Sequence, residues 1–357
     1  MDLHGMRPED LVAHLAAQGV VVALPEARRV LAWALSHGHV ADGRAQLDGM
    51  VRPVSRAVRA AVAAHTTARR PEVVERVEDG VDGSVRYLFA AEDGARFEAV
   101  RIPLHKPGRF SVCLSSQVGC AMGCVFCATG RLGLARNLSA AEIVGAFCAV
   151  RDEAPGRVTG AVFMGQGEPL HNYEAVMQAA SVLADPNGGR ISADGITVST
   201  VGLVPQIRRF TAEGRPFRLI VSLTSALPER RAALLPVAGR IPLEELAAAL
   251  RAHHAVFQDR VTVAWVLMGG VNDGPEEVEA LRALLGDVPL RVNLIDVNDD
   301  RPGGARRATA AERAAFMDAL QVLRAPVVRR YSVGAAQASA CGMLAARPPV
   351  GEAPHVG

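Results

Sequence analysis

From Arg7 to about Arg70, apolar residues recur three and four positions apart in "PEDLVAHLAAQG", "PEARRVLAWALSHG" and "VSRAVRAAVAAH", with Gly or Pro between the segments. This spacing predicts amphipathic helices, and with them a small helical accessory domain over residues 1–70. The following stretch, "EVVERVEDGVDGSVRYLFAAEDGARFEAVRIPL", alternates apolar with polar positions and carries Asp-Gly pairs, so a short β-meander linker is expected over 71–104. After Arg109 the rhythm becomes strand, loop, helix. The runs "FSVCLS", "VTGAVFMG", "GITVSTVG", "FRLIVSLTS", "VTVAWVLMG" and "LRVNLIDVN" are continuously apolar, as strands buried on both faces are. Helical segments separate them, beginning with "SAAEIVGAFCAVRDE", in which Ser139 and Glu142 have capping-box spacing, and followed by "NYEAVMQAASVLAD", "LVPQIRRFTAEG", "LEELAAALRAHHAVF" and "PEEVEALRALLGD". Six β/α units imply an α/β core with a parallel sheet over 105–300; the helix "TAAERAAFMDALQVLR" and a tail occupy 301–357. In such sheets chemistry collects at the carboxyl ends of strands, which directs attention to the residues after each run.

Composition narrows the class. A chain of 357 residues with 50% hydrophobic content can bury a large core, and a net charge of +2 announces neither a nucleic-acid nor a membrane partner. Any such contact must come from a local patch, for which Arg52, Arg56, Arg59, Arg69 and Arg70 around the third helix are candidates for RNA phosphates. No run approaches the roughly 20 apolar residues of a membrane span. Six cysteines, four of them between Cys113 and Cys127, do not resemble a disulfide scaffold, and "MDLHGMRPED" has no signal-peptide character. A soluble protein of the reducing cytoplasm is expected.

The candidate chemistry lies in "CAMGCVFCATG". Cys120, Cys124 and Cys127 are spaced C-x3-C-x2-C, without a fourth ligand nearby. A structural zinc site closes with four protein ligands and would have to borrow one from Cys113, Cys148 or a distant histidine. A [4Fe-4S] cluster makes use of the shortfall, because three thiolates leave one iron open to the amino and carboxylate groups of S-adenosylmethionine (SAM). This spacing before a β/α series is the signature of radical SAM enzymes. "MGQGEP" ends the second strand with Gly167, which lets backbone approach a ligand, and Glu168, a carboxylate suited to an ammonium or hydroxyl. Ser199, the run Ser222, Leu223 and Thr224, and Asn298 also stand at strand ends and are candidate SAM contacts, although loop capping accounts for any single Ser or Asn.

Taken in order, "CLSSQVGCAMGCVFCATG", "RNLSAAEIV", "MGQGEPLHN", "TVSTVGLVP", "VSLTS", "GVND" and "ACGML" resemble the RlmN/Cfr family of radical SAM RNA methyltransferases, from about Phe97 to Leu344. The resemblance implies a partial (β/α)6 TIM-type barrel, one [4Fe-4S] cluster, two SAM per turnover, and an adenine ring carbon as target, C2 in preference to C8. It implies 23S ribosomal RNA as substrate, with transfer RNA as a second candidate, and an external electron donor such as flavodoxin or ferredoxin; a monomer is expected. It assigns Cys341 as the methyl-carrying thiol, Cys113 as its partner in a transient disulfide and Glu98 as the proton acceptor, while Cys148 is left as a buried filler. Departures from the common pattern fall at Gln166 in place of Met, Thr224 in place of His, Asp299 in place of Pro, and Ala335 and Ala336 near a usual acidic residue. Two other classes compete: a radical SAM enzyme of related mechanism acting on another RNA, a peptide or a small molecule, and a non-enzymatic zinc or iron-sulfur RNA-binding module.

Overall fold

The computed structural model describes residues 1–37, 47, 54–299, 301–330 and 341–345. Three helices, α1 (Pro8–Ala16), α2 (Leu24–His37) and α3 (Arg56–His65), form the amino-terminal module around Leu11, Leu15, Val30, Leu31, Val58 and Val62. The alternating stretch folds as β1 (Glu72–Glu78), β2 (Val85–Ala90) and β3 (Arg96–Pro103), and β3 pairs antiparallel with β4 (Arg109–Leu114). Next come β5 (Gln117–Cys120), α4 (Ala128–Arg131), β6 (Gly133–Asn137), α5 (Ala140–Asp152), β7 (Arg157–Phe163) and α6 (Tyr173–Ala184). The series continues with β8 (Ile196–Thr200), α7 (Val204–Ala212), β9 (Arg218–Ser222), α8 (Pro228–Leu234), α9 (Leu243–Phe257), β10 (Val261–Leu267), α10 (Pro275–Leu285), β11 (Leu290–Asp296), α11 (Ala310–Ala319) and β12 (Val327–Arg330).

The strands β4, β7, β8, β9, β10, β11 and β12 run parallel in that order, and β3, β2 and β1 extend the same sheet beyond β4. The meander therefore continues the barrel wall. The six expected β/α units are present, followed by a seventh parallel strand, β12. The capping box on α5 forms with both of its hydrogen bonds.

Strand alternation divides the core into two. Val112, Leu114, Ala161, Phe163, Val198, Leu219, Val221, Val263, Trp265 and Leu294 pack on the helix side. Their in-between neighbours turn inward, where Ile220, Ala264 and Ile295 meet Met164, and Cys113 meets Val100. Each large side chain on the helix side contributes about 2 kcal/mol by burial, so a one-residue slip of any strand would cost several such contributions at once. The runs are thus less uniform than their sequence suggests. Their inner faces are apolar at mid-height but carry Arg218, Thr262, Arg291 and Asn293 toward the amino ends.

The amino-terminal module is bolted to this barrel by polar contacts. Arg70 donates to Asp152 at 2.7 Å and to the Leu35 carbonyl at 2.9 Å, and Gln178 donates to Asp10 at 2.6 Å. Of the arginines singled out as a patch, Arg69 pairs with Glu92 and Arg70 is consumed in docking. Arg56 and Arg59 are exposed on α3, and Arg52 lies outside the described residues.

Candidate active site

A short hairpin builds the cysteine loop. β5 and β6 pair so closely at Gly119, which has φ +76°, that a Cβ there would lie 1.9 Å from the Gly133 carbonyl oxygen. Only glycine fits that crossing. Cys120 ends β5, Cys124 lies in the turn and Cys127 occupies the N-cap of α4. The loop is fastened to the carboxyl end of the barrel: the Val125 N–H donates to the Leu234 carbonyl at 3.1 Å, and the Gln117 side chain accepts from the Glu168 N–H at 2.9 Å.

Burial pushes the Cys120 thiol up to about 12 and raises that of Cys124 as well; Cys127 adds to both, and Cys120 adds to Cys124. Thiols that resist ionising together need a positive centre to displace their protons. Among the described residues no three Cys, His, Asp or Glu side chains gather tightly enough to hold a single metal ion. Three coupled but separate thiols fit a cluster that gives each thiolate its own iron.

Beyond β7, Gly167 at φ +99° lies where a Cβ would come within 2.6 Å of the Gln117 and Ser116 side chains. The Glu168 carboxylate accepts from the Leu170 N–H at 3.0 Å and the Val201 N–H at 2.8 Å, bracing this turn against the end of β8. Burial pushes Glu168 up to about 7. The hydroxyls of Ser199 and Ser222 face each other at 3.4 Å. Leu223 packs its side chain on the helix side, leaving only its backbone for a ligand. Thr224 is fully buried with φ +63°, and its hydroxyl has no hydrogen-bond partner among the described residues. Such strain and such an orphaned group each cost about 1–3 kcal/mol, and costs of this kind are concentrated where ligands bind.

The segment carrying Cys341 joins these parts. The Gly342 carbonyl accepts from the Ala128 N–H at 2.7 Å, the Leu344 carbonyl from the Thr129 hydroxyl at 2.5 Å, and the Cys341 carbonyl from Asn298 Nδ2 at 3.2 Å. Asn298 also accepts from Arg307, so its side chain anchors this segment. Leu344 packs on Cys113 and Val100. Burial raises the Cys113 thiol and Cys341 raises it further; the Cys341 thiol is raised by the protein crowding its inner side, lowered by Arg330 and raised by Cys127. Cys341 is nevertheless exposed as a residue, which leaves it open to reagents from solvent. It couples to Cys113 on one side and to the cluster loop on the other.

Glu98 lies on β3, two residues from Val100 and on the same face. Arg86 donates to its carboxylate at 2.7 Å and Gln166 Nε2 at 3.3 Å, while Gln166 Oε1 accepts from the Glu98 N–H at 3.2 Å. Gln166, a departure from the usual Met, therefore grips the candidate proton acceptor from both sides. Ala335 and Ala336 lie outside the described residues. Cys148 is fully buried in α5, as expected of a filler.

Sequence reasoning missed Arg86 and Arg231. The alternation of β2 and β3 carried a signal for the first, since Arg86 pairs with Val100 and reaches Glu98 diagonally. Nothing in the sequence singled out Arg231, a fully buried guanidinium that donates to the carbonyls of Val201 at 2.6 Å, Ser222 at 3.2 Å and Leu223, tying the ends of β8 and β9 together.

The model of the Radical SAM superfamily matches residues 114–285, and membership implies a [4Fe-4S] cluster and SAM. A probable RNA methyltransferase of Anaeromyxobacter sp. (strain Fw109-5) is 49% identical over 91% of this chain and 94% of its own length. A dual-specificity RNA methyltransferase RlmN of Syntrophobacter fumaroxidans is 45% identical over 76% of this chain and 80% of its own. The crystal structure of a radical SAM methyltransferase from Sphaerobacter thermophilus superposes with a TM-score of 0.86 at 37% identity, covering 97% of this chain and 100% of that one. With the cysteine loop, the strand-end residues and these likenesses in agreement, the chain belongs to the RlmN/Cfr family and is a SAM-dependent RNA methyltransferase of the radical SAM class.

Proposed function

We propose that this protein methylates a ring carbon of adenine, C2 in preference to C8, in 23S ribosomal RNA and also in transfer RNA, through a methylated Cys341 and a transient Cys341–Cys113 disulfide. The observation that carries the reading is the placement of the Cys341 segment, which packs on Cys113 through Leu344 and is hydrogen-bonded to the helix that follows the C-x3-C-x2-C loop through Ala128 and Thr129. Adenine C2 and C8 have no lone pair to attack an electrophilic methyl group, so direct displacement on SAM lacks a nucleophile. A thiolate has one.

A [4Fe-4S] cluster held by Cys120, Cys124 and Cys127 would supply, with SAM bound, a 5′-deoxyadenosyl radical. The chain's own residues do the rest. Cys341 takes a methyl group from one SAM by displacement, and Arg330 favours its thiolate. Once hydrogen has been removed from the S-methyl group, its carbon bonds to the ring carbon and links Cys341 to RNA, and the radical adduct then gives up its unpaired electron, returning the one-electron equivalent spent on cleaving SAM. Glu98, held by Arg86 and Gln166, accepts the ring proton. Cys113 then attacks the Cys341 sulfur: an S–S bond forms, the C–S bond breaks with its electron pair passing to the methylene carbon, which takes a proton from solvent, and the methylated base departs. Two electrons from a flavodoxin- or ferredoxin-type donor restore the thiols. Gly167, Glu168, Ser199, Ser222, Leu223, Thr224 and Asn298 shape and brace the SAM pocket, with Leu223 contributing backbone only.

Mass spectrometry of RNA nucleosides after anaerobic incubation with SAM tests this. Methyladenosine is expected with the wild type and none with Cys341→Ala; product formation by Cys341→Ala contradicts the proposal. Chromatographic identity separates C2 from C8.

A further inference from the structure

Arginines crowd the end of the barrel opposite the cysteine loop. Arg109, Arg157 and Arg218 begin β4, β7 and β9, Arg291 is the second residue of β11, and Arg260 immediately precedes β10. A cavity of about 530 Å³ opens there, with Arg218, Arg260, Arg291 and Arg330 on its walls. Its carboxylates are Asp194, 3.8 Å from Arg218, and Asp259. Among the described residues no carboxylate pairs with Arg260, Arg291 or Arg330, and the buried Nε of Arg291 has no hydrogen-bond partner. Helix carboxyl termini also gather at this end and attract cations. That attraction does not account for Arg218 and Arg291, because Leu219, Val221, Leu290 and Val292 take the helix side of their strands and leave the arginines facing inward.

The mouth connects with the thiols by strand register. Cys113 is paired with Val162, Val162 with Thr197, and Thr197 with Arg218. Three strand spacings make this about 14 Å, a distance that an arginine side chain and a nucleotide span together. Arg330 lies on the cavity wall and also acts on both thiols.

We propose that this arginine mouth grips the phosphates flanking the target nucleotide, so that the extruded base reaches Cys341 through the barrel interior. The proposal rests on RNA being the substrate. Guanidiniums suit phosphate, and a base must leave its stack to be modified. The depth of the cavity offers Thr197, Thr262 and Asn293 to an inserted nucleotide, whereas a folded acidic protein would touch only the rim.

The test compares the reconstituted holoenzyme with the Arg218→Gln/Arg260→Gln double variant, and with Arg208→Gln/Arg282→Gln, which removes equal charge from the outer helices α7 and α10. Binding of a fluorescent mixed-sequence 12-nucleotide RNA is read by anisotropy across salt concentrations, with thermal melts and iron content as folding controls. Loss of two phosphate contacts predicts an affinity lower by about tenfold or more near 0.1 M salt and a salt slope shallower by about 1.4, with KM for RNA raised more than kcat is lowered. Wild-type affinity and slope in the mouth variant, or an equal loss in the outer-helix variant, overturns the proposal. So does unchanged RNA affinity with slowed disulfide reduction, which would assign the mouth to an acidic redox protein. Binding is read without turnover, so the expected pattern in an enzyme yielding no methyladenosine supports the mouth and overturns only the reaction proposed above.

Discussion

Glu98 and Gln166 show what single side chains decide at this site. Glu98 is buried, two residues from the Val100 that packs on Cys113, and Arg86 donates to its carboxylate at 2.7 Å, so Arg86→Met should destabilise the fold measurably in a thermal melt by weakening compensation of a buried charge. Glu98→Gln is the cleaner probe, because it keeps the shape and loses only the proton acceptor. Methyladenosine formation by Glu98→Gln is expected to fall by about 100-fold or more, while methylation of Cys341 from labelled SAM continues. Loss of both signals together would instead mean that Glu98 serves folding. The sequence located Glu98 only by resemblance, since an isolated carboxylate on a strand carries no mark of its partners. Arg86 and Gln166 became visible only when register brought residues 12 and 68 positions away to it.

Elements place these residues, and two of them make sharp predictions. The β5–β6 hairpin exists because Gly119 has no Cβ to meet the Gly133 carbonyl. Gly119→Ala should therefore misplace Cys120 and lower iron and sulfide content after reconstitution to below about half of wild type, without melting the barrel. Normal iron content in that variant would detach the hairpin from cluster holding. The turn after β7 should respond to pH. Burial places the Glu168 carboxyl at about 7, above the usual carboxylate range, so it is charged above that pH and protonated below it. Protonation leaves fewer lone pairs for the Leu170 and Val201 N–H groups, and SAM affinity measured calorimetrically should weaken as pH falls from about 8 to about 6. In Glu168→Gln the affinity should be low and flat with pH; a retained slope would place the titrating group elsewhere. Taken alone, folding stability runs the other way: a raised carboxylate pKa favours the folded apo protein at low pH, and that gain is lost as pH rises from about 4.5 to about 7. Most elements were legible because long apolar periods fix them. The hairpin β5–β6, α8 and β12 were not, since four to seven residues carry too little periodicity and each is held by its neighbours.

At the scale of the whole molecule, the barrel brings together residues that the chain separates widely. The Cys341 segment reaches Cys113 because β4 begins the parallel series, Leu344 packs back on it, and Asn298 and α4 pin that segment from the other side. The three-cysteine loop was readable from spacing alone, whereas the approach of the Cys341 segment to Cys113 depends on closure of the sheet, and only family resemblance pointed to that pair. What the closure would make possible is the division of labour proposed above: three thiols for the cluster, one to carry carbon and one to release it. Denaturing electrophoresis of Cys113→Ala after anaerobic reaction with SAM and labelled RNA tests that division most directly. A covalent protein–RNA species that accumulates in Cys113→Ala and vanishes in Cys113→Ala/Cys341→Ala is predicted. Free methylated RNA released by Cys113→Ala at the wild-type rate, with no such species, would contradict it.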